Sequence, residues 1–170
     1  NSEDYSLTSQ WYSAQSGQFS ATRVFGVYED LLGNEWILSD NGLGMLTAGQ
    51  TTPTSYFVDA AEREKKGGQA FYSCLEYNSE IYFGSDNGRV WCYQKEYGQF
   101  QLQNLPASSR IVSINSVEGN ELIFTTAKDG FFSYQPKTKA IEHFPASRFP
   151  NASIHSVYVD KASEVWFEQH

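Results

Sequence analysis

Residues 24–46 read VFGVYEDLLGNEWILSDNGLGML, and their outline returns three times along the chain. Residues 70–93 read AFYSCLEYNSEIYFGSDNGRVWCY, residues 111–134 read IVSINSVEGNELIFTTAKDGFFSY, and residues 154–167 read IHSVYVDKASEVWF. Aligned on the aromatic run, Trp36, Tyr82, Phe124 and Trp166 stand 46, 42 and 42 residues apart. Gly42, Gly88 and Gly130 keep the first two of those spacings. Repeats in the forties built from short strands mark propeller blades, each a four-stranded antiparallel sheet.

Each unit reads the same way. An apolar strand A leads into a polar turn at 30–34, 78–80 or 118–120, and the aromatic run forms strand B. A turn ending in Asn-Gly or Asp-Gly precedes strand C, and a looser strand D is expected near 56–58, 99–102 and 141–144. Apolar runs of this length between Gly, Asn and Asp clusters are strand signals. The expected fold is therefore all-β: propeller blades, three complete and a fourth truncated after strand B, in a partial propeller. The blades span 24–66, 67–108, 109–150 and 151–170, and 6–23 supplies an outer strand of a preceding blade with its connection. Only "DAAEREKKGG" at 59–68 departs from the repeat; it lengthens a D–A connection and has room for a short helix.

The tetrapeptide SDNG stands at 39–42 and again at 85–88, with AKDG in the third place. Asn-Gly and Asp-Gly tolerate the positive φ of a tight hairpin. A calcium loop needs further carboxylates at fixed offsets and a closing Glu, which the flanking sequence lacks. SDNG is thus a B–C turn, and no metal or other cofactor is expected.

The totals narrow the function classes. One domain of 170 residues can bury a sizeable core, and its abundant Tyr and Phe favour sheet. A formal charge of −8 argues against nucleic acid, whose binding runs on clustered Lys and Arg. No apolar stretch reaches membrane-spanning length, so the segment is not expected to be membrane-embedded. The polar opening NSEDYS leaves two options, a cytosolic protein or a leader removed upstream. Cys74 and Cys92 read as small buried hydrophobes, with a disulfide open only in an oxidising compartment.

In an antiparallel meander the B–C turns share one end with the starts of the A strands. That end should carry Asp40, Asn41, Asp86, Asn87, Lys128 and Asp129, together with Arg23, Gln69, Arg110 and His155. Of these, Arg23, Asp40, Asn41, Asp86, Asn87, Arg110, Lys128 and Asp129 are the candidate ligand-binding residues. Solvated turn residues are the plainer reading of the same pattern. A glycoside hydrolase needs two carboxylates flanking a bond, and the inner strands carry no acid at their centres. The chain also lacks a Gly-x-Ser-x-Gly elbow and a phosphate-cradling glycine loop, so no catalytic residue is assigned and no enzyme activity is expected within it.

Glu29, Asp30, Gly33, Trp36, Ile37, Ser39, Gly42 and Leu43 follow a pattern that resembles the two-component regulator propeller repeats. Asp160 and Trp166 renew its Asp-to-Trp spacing in the fourth unit, and the resemblance runs from about 24 to 167. It implies the periplasmic sensor region of a hybrid two-component regulator, whose tandem propellers detect oligosaccharides and signal to a histidine kinase outside these residues. It further implies the remaining blades of a parent chain as partners and a homodimeric parent, with a DNA-binding module elsewhere on the polypeptide. A carbohydrate-active propeller enzyme, hydrolase or lyase, and a plain protein-interaction propeller are the alternatives.

Overall fold

The structure is a computed structural model that describes residues 11–12, 19, 21–58, 69–118, 120–148, 154–159 and 165–169; of 11–12, 154–159 and 165–169 it describes the backbone. The segment 59–68, where the sequence allowed a short helix, lies outside the described residues, as does Asp160.

Three four-stranded antiparallel meanders follow one another. The first is β2 (Val24–Glu29), β3 (Glu35–Ser39), β4 (Gly42–Leu46) and β5 (Thr54–Tyr56). The second is β6 (Phe71–Tyr77), β7 (Glu80–Ser85), β8 (Arg89–Gln94) and β9 (Gln99–Asn104). The third is β10 (Ile111–Val117), β11 (Glu121–Thr126), β12 (Phe131–Gln135) and β13 (Ala140–Phe144). β14 (Ile154–Val159) and β15 (Val165–Gln169) form a two-stranded fourth sheet. The first strands of successive sheets, β2, β6, β10 and β14, lie against one another, as inner strands of propeller blades must. Helix among the described residues is one short 3-10 turn, Ala146–Arg148.

Within the segment 6–23, which the sequence gives to a preceding blade, the described residues Trp11–Tyr12 form β1, which pairs antiparallel with β9 as a fifth strand of the second sheet. The outer edge of β9 offers a row of N–H and C=O groups to any extended segment, and strand sequence does not say which edge it will satisfy.

The aromatic anchors build the interfaces between blades. Trp36 is fully buried against Phe83, Tyr93 and Phe100 of the second blade, with ring centroids 5.0, 4.8 and 6.1 Å away. Tyr82 and Phe124 are equally buried and meet in the next interface, 6.4 Å apart. Rings at these separations add to the free energy of burial itself. The Asp-to-Trp spacing has a direct cause. Asp30 Oδ2 accepts the Trp36 indole N–H at 2.9 Å, while Oδ1 accepts the N–H groups of Leu32 and Asn34. One buried carboxylate closes the A–B turn and satisfies the buried indole.

A second buried carboxylate ties two blades. Glu76 on β6 accepts the Tyr28 hydroxyl at 3.0 Å and the Leu31 N–H at 2.9 Å, and pairs with Lys95. Elsewhere the first blade is open: Val24, Val27, Leu31 and Leu32 are all exposed.

The post-turn glycines are required by space as well as by torsion. Gly42, Gly88 and Gly130 have φ of 87°, 66° and 89°, and a Cβ on each would collide with a carbonyl oxygen at the outer strand: Tyr56, Leu105 and Phe144 respectively. Yet the two SDNG copies do not make the same turn. Asn87 and Gly88 both have positive φ, whereas in the first copy only Gly42 does. The first and third turns are instead organised by a buried hydroxyl: Ser39 and Thr126 donate to the carbonyls of Gly42 and Gly130. In the second blade the equivalent Ser85 donates to Ala70 O.

Candidate ligand-binding mouth

The B–C turns are sewn to the connections that enter the A strands. The N–H groups of Asp40 and Ala127 donate to the carbonyls of Arg23 and Arg110, both at 3.0 Å. Those of Gly42 and Gly88 reach the next blade, at Gln69 O (2.7 Å) and Ser109 O (2.9 Å). One end of the propeller therefore gathers Arg23, Asp40, Asp86, Asn87, Arg110, Lys128 and Asp129, and this is its mouth. Asn41 lies there too but is buried, its N–H donating to Ser39 Oγ at 3.1 Å. Its side chain is withheld from solvent.

The three aspartates accept hydrogen bonds from the fold. Asp40 Oδ1 takes the N–H groups of Thr22 and Arg23 at 3.0 and 3.1 Å, which holds its pKa below the usual carboxylate range. Asp129 takes the N–H groups of Ser108 and Ser109 at 3.1 and 2.9 Å as well as both hydroxyls. Burial works to raise its pKa, but these hydrogen bonds outweigh it and the carboxyl titrates low. Asp86 accepts the Tyr72 hydroxyl at 3.0 Å. Arg23, Lys128 and Arg110, by contrast, are exposed and form no ion pair among the described residues.

Every inner strand carries the same irregularity. Register slips by one residue at Phe25, Tyr72, Val112 and His155, the second position of β2, β6, β10 and β14. In the first three blades a bulge there re-aims the side chain at that position. The Phe25 and Tyr72 rings meet 4.9 Å apart, with Arg23 over Phe25 at 5.8 Å and Arg110 over Tyr72 at 5.2 Å. Guanidinium groups at these distances are held by the ring faces. Burial and the Asp86 bond push the Tyr72 pKa up, keeping its hydroxyl protonated. Phe25 and Tyr72 were not among the candidates from the sequence. The available signal was an apolar–variable–small triplet repeated as Val24-Phe25-Gly26, Phe71-Tyr72-Ser73, Ile111-Val112-Ser113 and Ile154-His155-Ser156.

Other chemistry-bearing groups lie elsewhere. His143, exposed on β13, stacks on Phe132 at 4.2 Å and donates from Nε2 to Asp129 O. Cys74 and Cys92 are free thiols. Glu29 and Glu35 face each other in register beside a cleft of about 320 Å³ at the A–B end of the first blade, away from the mouth. Among the described residues no group of three His, Cys, Asp or Glu could hold a metal ion. No helix among them is long and apolar enough to cross a membrane.

No protein-family model and no curated protein matches the sequence. Solved structures do match the fold. The extracellular domain assigned to the hybrid two-component system BT4673 of B. thetaiotaomicron superposes with a TM-score of 0.69 at 16% identity, over 86% of this chain and 20% of that one. Its counterpart in BT3049 of the same organism gives 0.66 at 14%, over 93% and 24%. Streptogramin B lyase gives 0.64 at 19%, over 86% and 48%. At such identities the likeness establishes a propeller fold alone, and one fold hosts unrelated functions. This chain spans about a fifth to a quarter of the two-component extracellular domains it matches.

Proposed function

We propose that this chain belongs to the extracytoplasmic, ligand-sensing propeller of a hybrid two-component regulator, binds an oligosaccharide at the B–C mouth and catalyses nothing itself. The observation that carries this reading is the pair of bulge-presented rings, Phe25 and Tyr72, flanked by two exposed arginines. Ring faces that stack and polar groups that orient suit a sugar, which offers an apolar face and a hydroxyl rim. Of the sequence candidates, Arg23, Arg110 and Lys128 are open to a ligand, with Asn87 exposed at the rim. The likeness to two sensor ectodomains supports the same direction. Signalling then requires the ligand to favour one arrangement of paired ectodomains over another, since equal affinity for both shifts nothing. The kinase that reads this arrangement lies outside these residues, on the cytoplasmic side of a bacterial inner membrane.

A lyase or hydrolase reading draws on the streptogramin B lyase likeness. It needs an acid–base pair at the mouth, where the three aspartates instead accept hydrogen bonds from the fold. Calorimetric titration of the full-length protein with a panel of glycan fragments, followed by mass analysis of the sugar, separates the two. Saturable binding with the sugar recovered intact is expected. Shortened or unsaturated products refute the sensor reading, as does the absence of binding across the panel.

A further inference from the structure

The mouth has a chemical polarity that the composition of the chain conceals. Its carboxylates are engaged: Asp40 by two backbone N–H groups, Asp86 by the Tyr72 hydroxyl, Asp129 by two N–H groups and two hydroxyls. Its cations are exposed: Arg23 and Arg110 touch ring faces, and apart from the contact of Arg110 with the Tyr72 hydroxyl their guanidinium N–H groups are left to donate. A ligand entering here meets the guanidinium donors of Arg23 and Arg110, while Asp129 has both carboxylate oxygens taken and Asp40 and Asp86 have Oδ1 taken. A neutral sugar presents hydroxyls that both donate and accept, so half of its capacity is poorly matched. A carboxylate accepts only, and planar guanidinium is the side chain that grips it in two parallel hydrogen bonds.

The bulges add the second element. They set Phe25 and Tyr72 in contact between the two arginines, giving the order guanidinium, ring, ring, guanidinium across the first two inner strands. A pyranose ring laid on the aromatic pair brings its substituents to the flanking arginines.

Building on the oligosaccharide reading above, we propose that this site selects acidic oligosaccharides, with uronate carboxylates held by Arg23 and Arg110 and sugar faces stacked on Phe25 and Tyr72. Selection of an anion by a chain of net charge −8 must be local, because the field of the whole molecule opposes it.

The test is titration of the full-length protein with tetragalacturonate and with its carboxyl-reduced neutral counterpart, α-1,4-galactotetraose, at one ionic strength. Tetragalacturonate is expected to bind at least tenfold more tightly. Arg110→Ala and Arg23→Ala, both at exposed positions, should each weaken it about tenfold and leave galactotetraose within twofold, and Arg110→Lys should fall between. Tyr72→Phe, which keeps the ring but frees Asp86 beside Arg110, should leave galactotetraose near the parent and weaken tetragalacturonate severalfold, whereas Phe25→Ala should weaken both. Equal or tighter binding of galactotetraose overturns the acidic preference and leaves the oligosaccharide reading standing. Binding of neither sugar, while another neutral glycan of the panel binds, overturns the preference in the same way. No binding by any glycan overturns both. Retained tetragalacturonate affinity in the double variant Arg23→Ala/Arg110→Ala moves the site off this mouth and refutes the assignment.

Discussion

Replacing Trp36 tests the blade alignment, because two substitutions at this one position separate packing from hydrogen bonding. The side chain is fully buried, contacts three rings of the second blade and one of its own, Tyr56, at 5.8 Å, and donates to Asp30 at 2.9 Å. Trp36→Ala removes the ring and leaves a cavity between blades, which costs about 3–5 kcal/mol. Trp36→Phe keeps most of the packing and deletes the indole N–H, a hydrogen bond to a charged group worth about 1.5–3 kcal/mol. Asp30 Oδ2 keeps the Asn34 side-chain N–H at 3.0 Å, so the lower end of that range is expected. In thermal unfolding the alanine variant should lose about 6–20 °C, at about 2–4 °C per kcal/mol for a chain of this size. Acid sensitivity supplies an independent check. Burial acts to raise the Asp30 pKa, but bonds from Trp36, Asn34 and Leu32 prevail and hold it below its ordinary value. The stability this contributes is present above the unfolded-state pKa and is lost as pH falls through the folded value. Trp36→Phe should therefore flatten the acid limb of a urea-midpoint profile recorded between neutral pH and pH 3. A cost below about 1 kcal/mol for Trp36→Ala, the range of ordinary surface changes, would refute the interface built on this ring.

Two further outcomes follow from the fold. Gly130→Ala places a Cβ at φ 89° against Phe144 O and should destabilise by more than about 1 kcal/mol, whereas Gly33→Ala, at φ 80° with open space around it, should cost less; denaturant titration of the pair ranks them, and equal losses would show that the clash with the outer strand is not real. Cys74, its thiol pushed up to about 12 by burial, and Cys92, raised in the same direction by burial and then by Glu80, should react with Ellman's reagent only as fast as the protein unfolds; rapid labelling in native buffer would contradict their placement.

Much of this architecture is legible along the chain because its causes are local. The recurrence of Trp36, Tyr82 and Phe124 marks the strand that faces the next blade, and each is buried as that position demands. Gly42, Gly88 and Gly130 announce the B–C turns because few other residues take their torsions. The meander rule then places those turns and the A-strand starts at one end, where the backbone hydrogen bonds join them. What the sequence could not supply is relational. The two SDNG copies differ in Asn torsion, and their serine hydroxyls differ with them: Ser39 bonds its own turn and Ser85 bonds Ala70, the residue before strand A. Asn41 is buried and Asn87 exposed for the same reason of context. β1 joins β9 because an open edge accepts whichever strand reaches it. Most of all, Phe25 and Tyr72 enter the mouth through a one-residue slip in register, and a slip exists only between two paired strands. Periodicity and turn chemistry wrote the blades into the sequence; which side chains face the mouth, and which acids are already engaged, was decided only when the blades packed.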